Sequence, residues 1–64
     1  MSKESKKFGK KMRELRLNVG ITQLQLAQET KLDLTTVNEL ENGHREPILG
    51  TIKKIAKVLG NSIL

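Results

Sequence analysis

The stretch Thr22-Gln-Leu-Gln-Leu-Ala-Gln-Glu-Thr-Lys-Leu-Asp-Leu-Thr-Thr-Val-Asn-Glu-Leu-Glu41, followed by Asn42-Gly43, decides the fold of this 64-residue chain. Good N-cap residues stand at two points in it, Thr22 and Asp33, and each precedes an apolar pattern of helical spacing. Gln25, three residues after Thr22, completes a capping box. Only residues 30–32 lie between the two predicted helices, and Gly43 can adopt the left-handed conformation that ends a helix. Two capped helices joined by a tight turn are a helix-turn-helix, which we predict over residues 22–43.

Apolar residues at helical spacing predict one helix before this motif and another after it. The first helix should end at Gly20, and its apolar face consists of Phe8, Met12, Leu15 and Val19. The later helix has an apolar face of Leu49, Ile52, Ile55, Ala56 and Leu59. Residues 61–64 could begin a fifth helix, whereas residues 1–5 have nothing to bury and are expected to be disordered. The predicted fold class is all-α, a compact domain of four to five helices over residues 1–64.

Composition excludes several classes of function. The chain has no Cys and a single His, His44, so neither a disulfide framework nor a metal site is expected. It has no phosphate-binding glycine loop and no acid pair in an evident cleft, so we predict neither an enzyme nor a cofactor. No apolar run approaches the ~20 residues of a membrane span. We therefore expect a cytoplasmic protein that does not bind membranes.

The positive charge of the chain is unevenly distributed. The formal net charge is +5, with +5 in residues 1–19, −3 in residues 20–46 and +3 in residues 47–64. A basic protein suits a nucleic-acid partner, and a chain with only one aromatic residue cannot stack many single-stranded bases, which favours duplex DNA. Because the helix-turn-helix segment is itself acidic, most of the attraction to phosphate has to come from the flanking segments.

The sequence resembles the phage repressor, Cro and Xre-like helix-turn-helix family over roughly residues 8–60. The matching positions are Arg16, Thr22-Gln23, Leu26-Ala27, Leu32-Asp33, Val37, Leu40-Glu41, Gly43, Pro47 and the run from Ile55 to Gly60. The resemblance implies a repressor-like (Cro/C1-type) domain in which Arg16 forms a structural ion pair with Glu41 across the core. Family members usually carry Gly at the turn position that Lys31 occupies here, and a left-handed Lys costs roughly 1–2 kcal/mol there.

The resemblance also implies which residues contact DNA. Base-contacting positions fall on a predicted recognition helix, residues 34–42, and are Leu34, Thr35, Thr36, Asn38 and Glu39. Asn38 could pair with adenine, Glu39 could accept from cytosine, and Leu34 or a Thr methyl could meet a thymine methyl. The alternative for Thr35, Thr36 and Glu39 is that they are ordinary solvent-facing helix residues. Gln23 and Arg45 match positions at which family members contact phosphate or position the recognition helix. From the residues alone, His44 is expected to be a surface residue or a phosphate contact. The first helix has a basic surface that includes Lys6, and on it Lys11 and Arg13 are expected to contact phosphate, the alternative being a solvated surface.

Together these features predict a sequence-specific, nucleoid-associated transcriptional regulator of the repressor type that binds double-stranded DNA. Because family members commonly bind inverted repeats as dimers, a homodimer is expected, to which Ile63 and Leu64 could contribute apolar contacts. The alternative is a helical protein-interaction module or antitoxin-like partner protein, with DNA binding secondary or lost. The acidic middle segment and the absence of Arg and Lys from the recognition helix favour that alternative.

Overall fold

The computed structural model describes residues 2–64 and contains four α-helices and a terminal 3-10 turn. The elements are α1 (Lys3–Val19), α2 (Gln23–Thr30), α3 (Leu34–Glu41), α4 (Leu49–Leu59) and the 3-10 turn Asn61–Ile63. The all-α, four- to five-helix fold class is confirmed. The predicted recognition helix corresponds to α3, which ends one residue before the expected Asn42. None of the helices within residues 2–64 is long and apolar enough to cross a lipid bilayer.

The helix ends follow from local sequence. Thr22 and Gln25 form both hydrogen bonds of the capping box, which confirms the predicted start of α2. Asp33 has the extended backbone of an N-cap, but its side chain makes no capping hydrogen bond, so it can stabilise α3 only through its charge near the positive end of the helix dipole.

Three helices end on a residue in the left-handed region. These residues are Gly20, Lys31 and Gly43, with φ of 85°, 60° and 74°. After α3, the N–H of Gly43 donates to Leu40 O and that of His44 donates to Glu39 O. This pair of hydrogen bonds is the Schellman motif, and it satisfies carbonyl groups that the helix end would otherwise leave free.

One core holds the four helices together. Its fully buried large side chains are Met12, Leu26, Leu40, Ile55 and Val37. α3 packs against both α1 and α2, and α4 closes the far side against α1 and α2. Ala27 on α2 is buried in this core, and its small side chain lets a neighbouring element approach closely.

The structure differs from the sequence-based expectation at both chain ends. Residues 1–5 were expected to be disordered, but α1 begins at Lys3 because the Ser2 hydroxyl accepts from the Ser5 N–H and Ser5 is buried. Met1 lies outside the described residues. At the other end, Ile63 is buried in the core and is therefore unavailable for the expected dimer contact, whereas Leu64 is exposed.

Two residues assigned to apolar helix faces are exposed instead. Val19 is the last residue of α1 and Leu49 the first of α4, and they are 52% and 64% exposed. Periodicity identifies the face of a helix on which a residue lies, but it does not say how far the neighbouring helices extend along the axis. Apolar residues at the ends of helices can therefore carry the correct phase and still reach solvent.

Candidate nucleic-acid interface

The solvent-facing side of α3 carries most of the side chains that the resemblance assigned to base contacts. Leu34, Thr35 and Asn38 are exposed, whereas Thr36 and Glu39 are partly buried. Val37 and Leu40 face the core, so their burial determines which side of α3 is free. All five expected residues thus lie on one short helix. Thr36 and Glu39 lie where its exposed side meets its buried side.

The expected pair of Arg16 and Glu41 lies beneath this surface. The Arg16 Nε donates to Glu41 Oε2 at 2.6 Å, and a guanidinium NH2 group donates to Oε1 at 3.1 Å. Arg16 also donates to the backbone oxygen of Ile21 at 2.9 Å. Both side chains are almost completely buried. The pair joins α1 to the end of α3, and within residues 2–64 no buried side-chain polar atom lacks a hydrogen-bond partner.

A series of side-chain amides extends from the buried pair to the surface of α3. Gln23 Nε2 donates to Glu41 Oε1 at 3.0 Å, and Gln23 Oε1 accepts from Asn38 Nδ2 at 3.3 Å. Asn38 Oδ1 in turn accepts from Asn42 Nδ2 at 3.1 Å. Gln23, on the first turn of α2, therefore contacts both the core ion pair and an expected base-contacting residue. The 23–38–42 amide series connects the two helices of the motif.

Two residues expected to contact DNA separately form an ion pair with each other. Arg45 Nε and Nη2 lie 3.0 and 2.9 Å from Glu39 Oε1. Both side chains are substantially exposed, so the pair contributes only ~0.2–1 kcal/mol to stability. Its larger effect is on the local charge, because Arg45 compensates the one carboxylate on the solvent-facing side of α3.

The basic residues of α1 fall on different sides of that helix. Gly9 marks the side that packs on α3, since an added Cβ there would overlap Leu40 O and lie 2.7 Å from Glu41 O. At about 100° per residue, Arg13 returns to nearly the same side, whereas Lys11 points about 200° away. Lys6 lies beside the end of α3, since a Cβ added at Gly43 would be 2.9 Å from Lys6 Cγ. The structure brings Arg13 and Lys6 toward α3 but does not bring Lys11 there.

Two residues that sequence reasoning did not assign to the site belong to this surface. The sequence places Asn42 only at a helix end, yet it lies one turn after Asn38 and its side chain donates a hydrogen bond to that of Asn38. The sequence places Lys6 only on the basic surface of the first helix, yet it lies beside Gly43 at the end of α3. The signal for Asn42 was available as the i, i+4 spacing from Asn38. Lys6 precedes Gly9 by three residues, but only the packing of Gly9 shows that this side faces α3.

His44 is exposed in the loop after α3, where its backbone N–H completes the helix end. Residues 2–64 contain no group of three or more His, Asp or Glu side chains arranged to share a metal ion. The chemistry of the described surface is thus that of amides, hydroxyls and ammonium or guanidinium groups, which suits hydrogen bonding to bases and phosphates.

Comparison with known proteins gives two matches. The sequence pattern of a helix-turn-helix family matches residues 12–64. Control protein C.BamHI of Bacillus amyloliquefaciens is 41% identical over 54 residues, which cover 83% of this chain and 67% of that protein. No solved structure is significantly similar to the chain.

Proposed function

Since the chain belongs to the phage repressor, Cro and Xre-like helix-turn-helix family of DNA-binding transcriptional regulators, we propose that it recognises a specific double-stranded sequence by inserting α3 into the major groove. One observation carries the proposal: the exposed side of α3 presents Asn38 and Thr35, and α2 braces it through Gln23. An α-helix fits the major groove, where amide and hydroxyl groups can distinguish base pairs by their donor and acceptor patterns. The regulator is proposed to act on nucleoid DNA.

Contacts to phosphate are proposed to come from around α3 rather than from it. The N–H groups in the first turn of α2 donate no hydrogen bond to a carbonyl group of the helix, and Gln23 lies in that turn. Arg45 and His44 follow α3, and Arg13 and Lys6 lie beside it on α1. Lys11 is not expected to contact phosphate, because it points away from the side of α1 that packs on α3. Such contacts position the protein on DNA without selecting a sequence.

A homodimer on an inverted repeat is proposed as the binding unit. The family resemblance motivates it, and exposed aliphatic side chains support it: Ile48 and Leu49 at the start of α4 and Leu64 at the end of the described chain. A two-fold dimer places the same surface on both protomers and requires a DNA site with matching symmetry. Because Ile63 is buried in the core, Leu64 is the residue of the terminal pair that is free to contribute to a dimer contact.

Selection from a random duplex pool at near-physiological salt tests the proposal. We expect enrichment of one sequence, arranged as an inverted repeat with half-site centres about 10 base pairs apart, because that spacing returns the major groove to the same side of the duplex. Retention of duplexes without enrichment would contradict sequence-specific recognition. An enriched single half-site would contradict the dimer alone.

Variants separate base contacts from phosphate contacts. Asn38→Ala and Glu39→Ala are expected to change which bases are preferred, by ~1–3 kcal/mol at the contacted position. Arg45→Ala is expected to weaken binding to all sequences alike. The Glu39→Ala variant also frees Arg45 from its ion pair, so its total affinity should rise at low salt even as preference is lost. Unchanged base preference in both α3 variants would mean that another surface of the protein recognises the bases.

A protein-interaction module remains the second candidate, and a specific observation favours it. Residues 20–46 have a net charge of −3, and Arg45, one of the two basic residues in that segment, is already paired with Glu39. An acidic helix-turn-helix attracts duplex DNA less than it attracts a basic protein surface. Duplex binding that depends steeply on salt supports the regulator, because each neutralised phosphate adds roughly 0.9 to the log–log slope. Absence of duplex binding at low salt supports the interaction module.

A further inference from the structure

Five side chains form a continuous series from the core to the exposed side of α3. In order they are Arg16, Glu41, Gln23, Asn38 and Asn42, each within 3.3 Å of the next. The first two are buried and the last two are exposed. The series therefore connects an interaction that belongs to the fold with a side chain that belongs to the proposed recognition surface.

The direction of every hydrogen bond in this series follows from its buried end. A guanidinium has only donors, so the Glu41 carboxylate, which has only acceptors, faces Arg16. That carboxylate can accept from Gln23 only if the Gln23 amide directs its nitrogen toward it, which leaves Oε1 facing α3. Opposite Oε1, Asn38 must direct Nδ2 inward, and its Oδ1 then faces the donor group of Asn42.

This order matters because an isolated Asn side chain on a surface has no preferred direction. Rotating its amide by half a turn exchanges the donor and the acceptor at almost no cost in water. In this structure the same rotation would bring Asn38 Oδ1 against Gln23 Oε1, whose direction is set by the bond from Gln23 Nε2 to Glu41. One hydrogen bond would be replaced by a repulsive contact, so one direction of the amide is selected. Asn42 is exposed and can rotate with Asn38, so it does not select the direction; its hydrogen bond restrains the position of the Asn38 amide from the other side.

The selected direction leaves Asn38 with one free N–H and one free acceptor position, since an amide has two of each. Adenine presents N7 as an acceptor and N6 as a donor in the major groove, whereas guanine presents two acceptors there. We infer that Gln23, held by the Arg16–Glu41 pair, fixes the direction of the Asn38 amide, and that Asn42 is a positioning residue that holds the same amide in place, so that together they determine the base that Asn38 selects. This inference rests on the proposed function of α3.

The inference is tested by measuring base preference one position at a time. Duplex selection with the unmodified chain supplies the binding sequence, and competition assays with single base-pair changes supply the preference at each position. The base pair at which Asn38→Ala loses discrimination is taken as the Asn38 position. Asn42→Ala is expected to reduce preference at that same base pair by about three- to tenfold, a part of what one bidentate contact provides.

A double variant distinguishes positioning from direct contact. In the Asn38→Ala background, Asn42→Ala should change no preference further, because the side chain that it positions is gone. Unchanged preference in the single Asn42→Ala variant would overturn the inference. An Asn42→Ala effect that persists in the Asn38→Ala background would also overturn it, since Asn42 would then contact DNA itself.

Gln23→Ala tests the connection to the core. Loss of the bond to Asn38 should lower preference at the Asn38 base pair, in addition to any uniform loss of affinity from a phosphate contact. A uniform loss with unchanged preference would show that the core does not orient Asn38, which contradicts this part of the inference.

Matched controls keep the interpretation specific. Asn18→Ala makes the same change at an exposed position of α1, about half a turn from the side that packs on α3, and should leave both preference and affinity unchanged. Thermal unfolding by circular dichroism checks that Asn42→Ala and Asn38→Ala, both exposed sites, retain the fold. Absence of any preference in the unmodified chain would refute the proposed function itself, an outcome distinct from preference that survives Asn42→Ala.

Discussion

At the scale of single residues, the surface of α3 is positioned by side chains that do not belong to it. Glu41 is buried against Arg16, and Gly9 permits the backbone of α1 to approach the end of α3. A buried ion pair adds little net stability when complete, but removing one partner leaves the other charge without compensation in the core. These two contacts therefore determine whether α3 is held in place at all.

Glu41→Ala is expected to destabilise the domain by ~3–5 kcal/mol because it strands the buried Arg16 guanidinium. A domain this small has only ~5 kcal/mol to lose, so much of the chain should be unfolded at 37 °C. Circular dichroism melting measures the effect, with Glu39→Ala, which removes a carboxylate two residues away that is 38% exposed, as the control. A melting midpoint within a few degrees of the parent would contradict the structural role of the pair.

Gly9→Ala is expected to destabilise the protein although Ala favours helix. The substitution gains up to ~1 kcal/mol in helix propensity, but its methyl group would overlap backbone oxygens of α3, and overpacking of this kind costs ~1–3 kcal/mol. Gly50→Ala in α4 is the matched control, because a Cβ there meets open space and should be neutral or stabilising. Denaturant unfolding of the two variants should give opposite signs, and stabilisation by Gly9→Ala would show that α1 does not pack this closely.

At the scale of elements, the turn between α2 and α3 requires a strained backbone conformation at Lys31. Lys31 has φ of 60°, so it adopts the left-handed conformation that costs a non-glycine residue roughly 1–2 kcal/mol. Its N–H donates to Gln28 O, and the Leu32 N–H donates to Ala27 O, so the turn closes α2 as a Schellman motif despite the side chain. Two backbone hydrogen bonds and the partial burial of Leu32 offset the strain at Lys31.

Lys31→Gly should stabilise the domain by roughly 1 kcal/mol, because glycine adopts the left-handed region without a Cβ clash. Chemical denaturation at neutral pH measures the gain. Lys31→Ala removes the same charge but retains the clash, so it separates the backbone contribution from the electrostatic one and should give no comparable gain. Equal stabilisation by both variants would assign the effect to charge and refute backbone strain.

At the scale of the whole molecule, the helix-turn-helix segment is acidic, whereas the segments before and after it are basic. Residues 1–19 have a net charge of +5, whereas residues 20–46 have −3. Attraction to DNA therefore depends on which residues of α1 reach the side on which α3 is exposed. Arg13 and Lys6 lie toward α3, and Lys11 lies on the opposite side of α1.

Arg13→Ala should reduce the salt dependence of duplex binding, whereas Lys11→Ala should not. Each phosphate contact contributes roughly 0.9 to the slope of log affinity against log salt concentration, so the Arg13 variant should lose about one unit. Titrations of one duplex at several salt concentrations measure both slopes. Equal slopes for the two variants would mean that the basic residues of α1 act through overall charge and not through placed contacts.

What the sequence by itself determined about this protein is local. The capping box at Thr22 and the helix ends at Gly20 and Gly43 depend on neighbours within a few positions, so residue identity was sufficient to predict them. The helical faces of α1 and α4 were likewise available from periodicity. Pairing of Arg16 with Glu41, 25 residues apart, came only from the family resemblance and is present in the structure.

Only the tertiary structure decided which of these local elements meet and where they end. It exposed Val19 and Leu49 and buried Ile63. It also packed Gly9 on α3, which places Lys11, about 200° further around α1, away from α3. It also joined Gln23 to Asn38 and Glu39 to Arg45, pairs whose spacing in sequence follows no helical repeat. The physical reason is that hydrogen bonds and burial depend on distances between helices, and those distances are set by the packing of Gly9, Ala27 and the shared core rather than by any one segment.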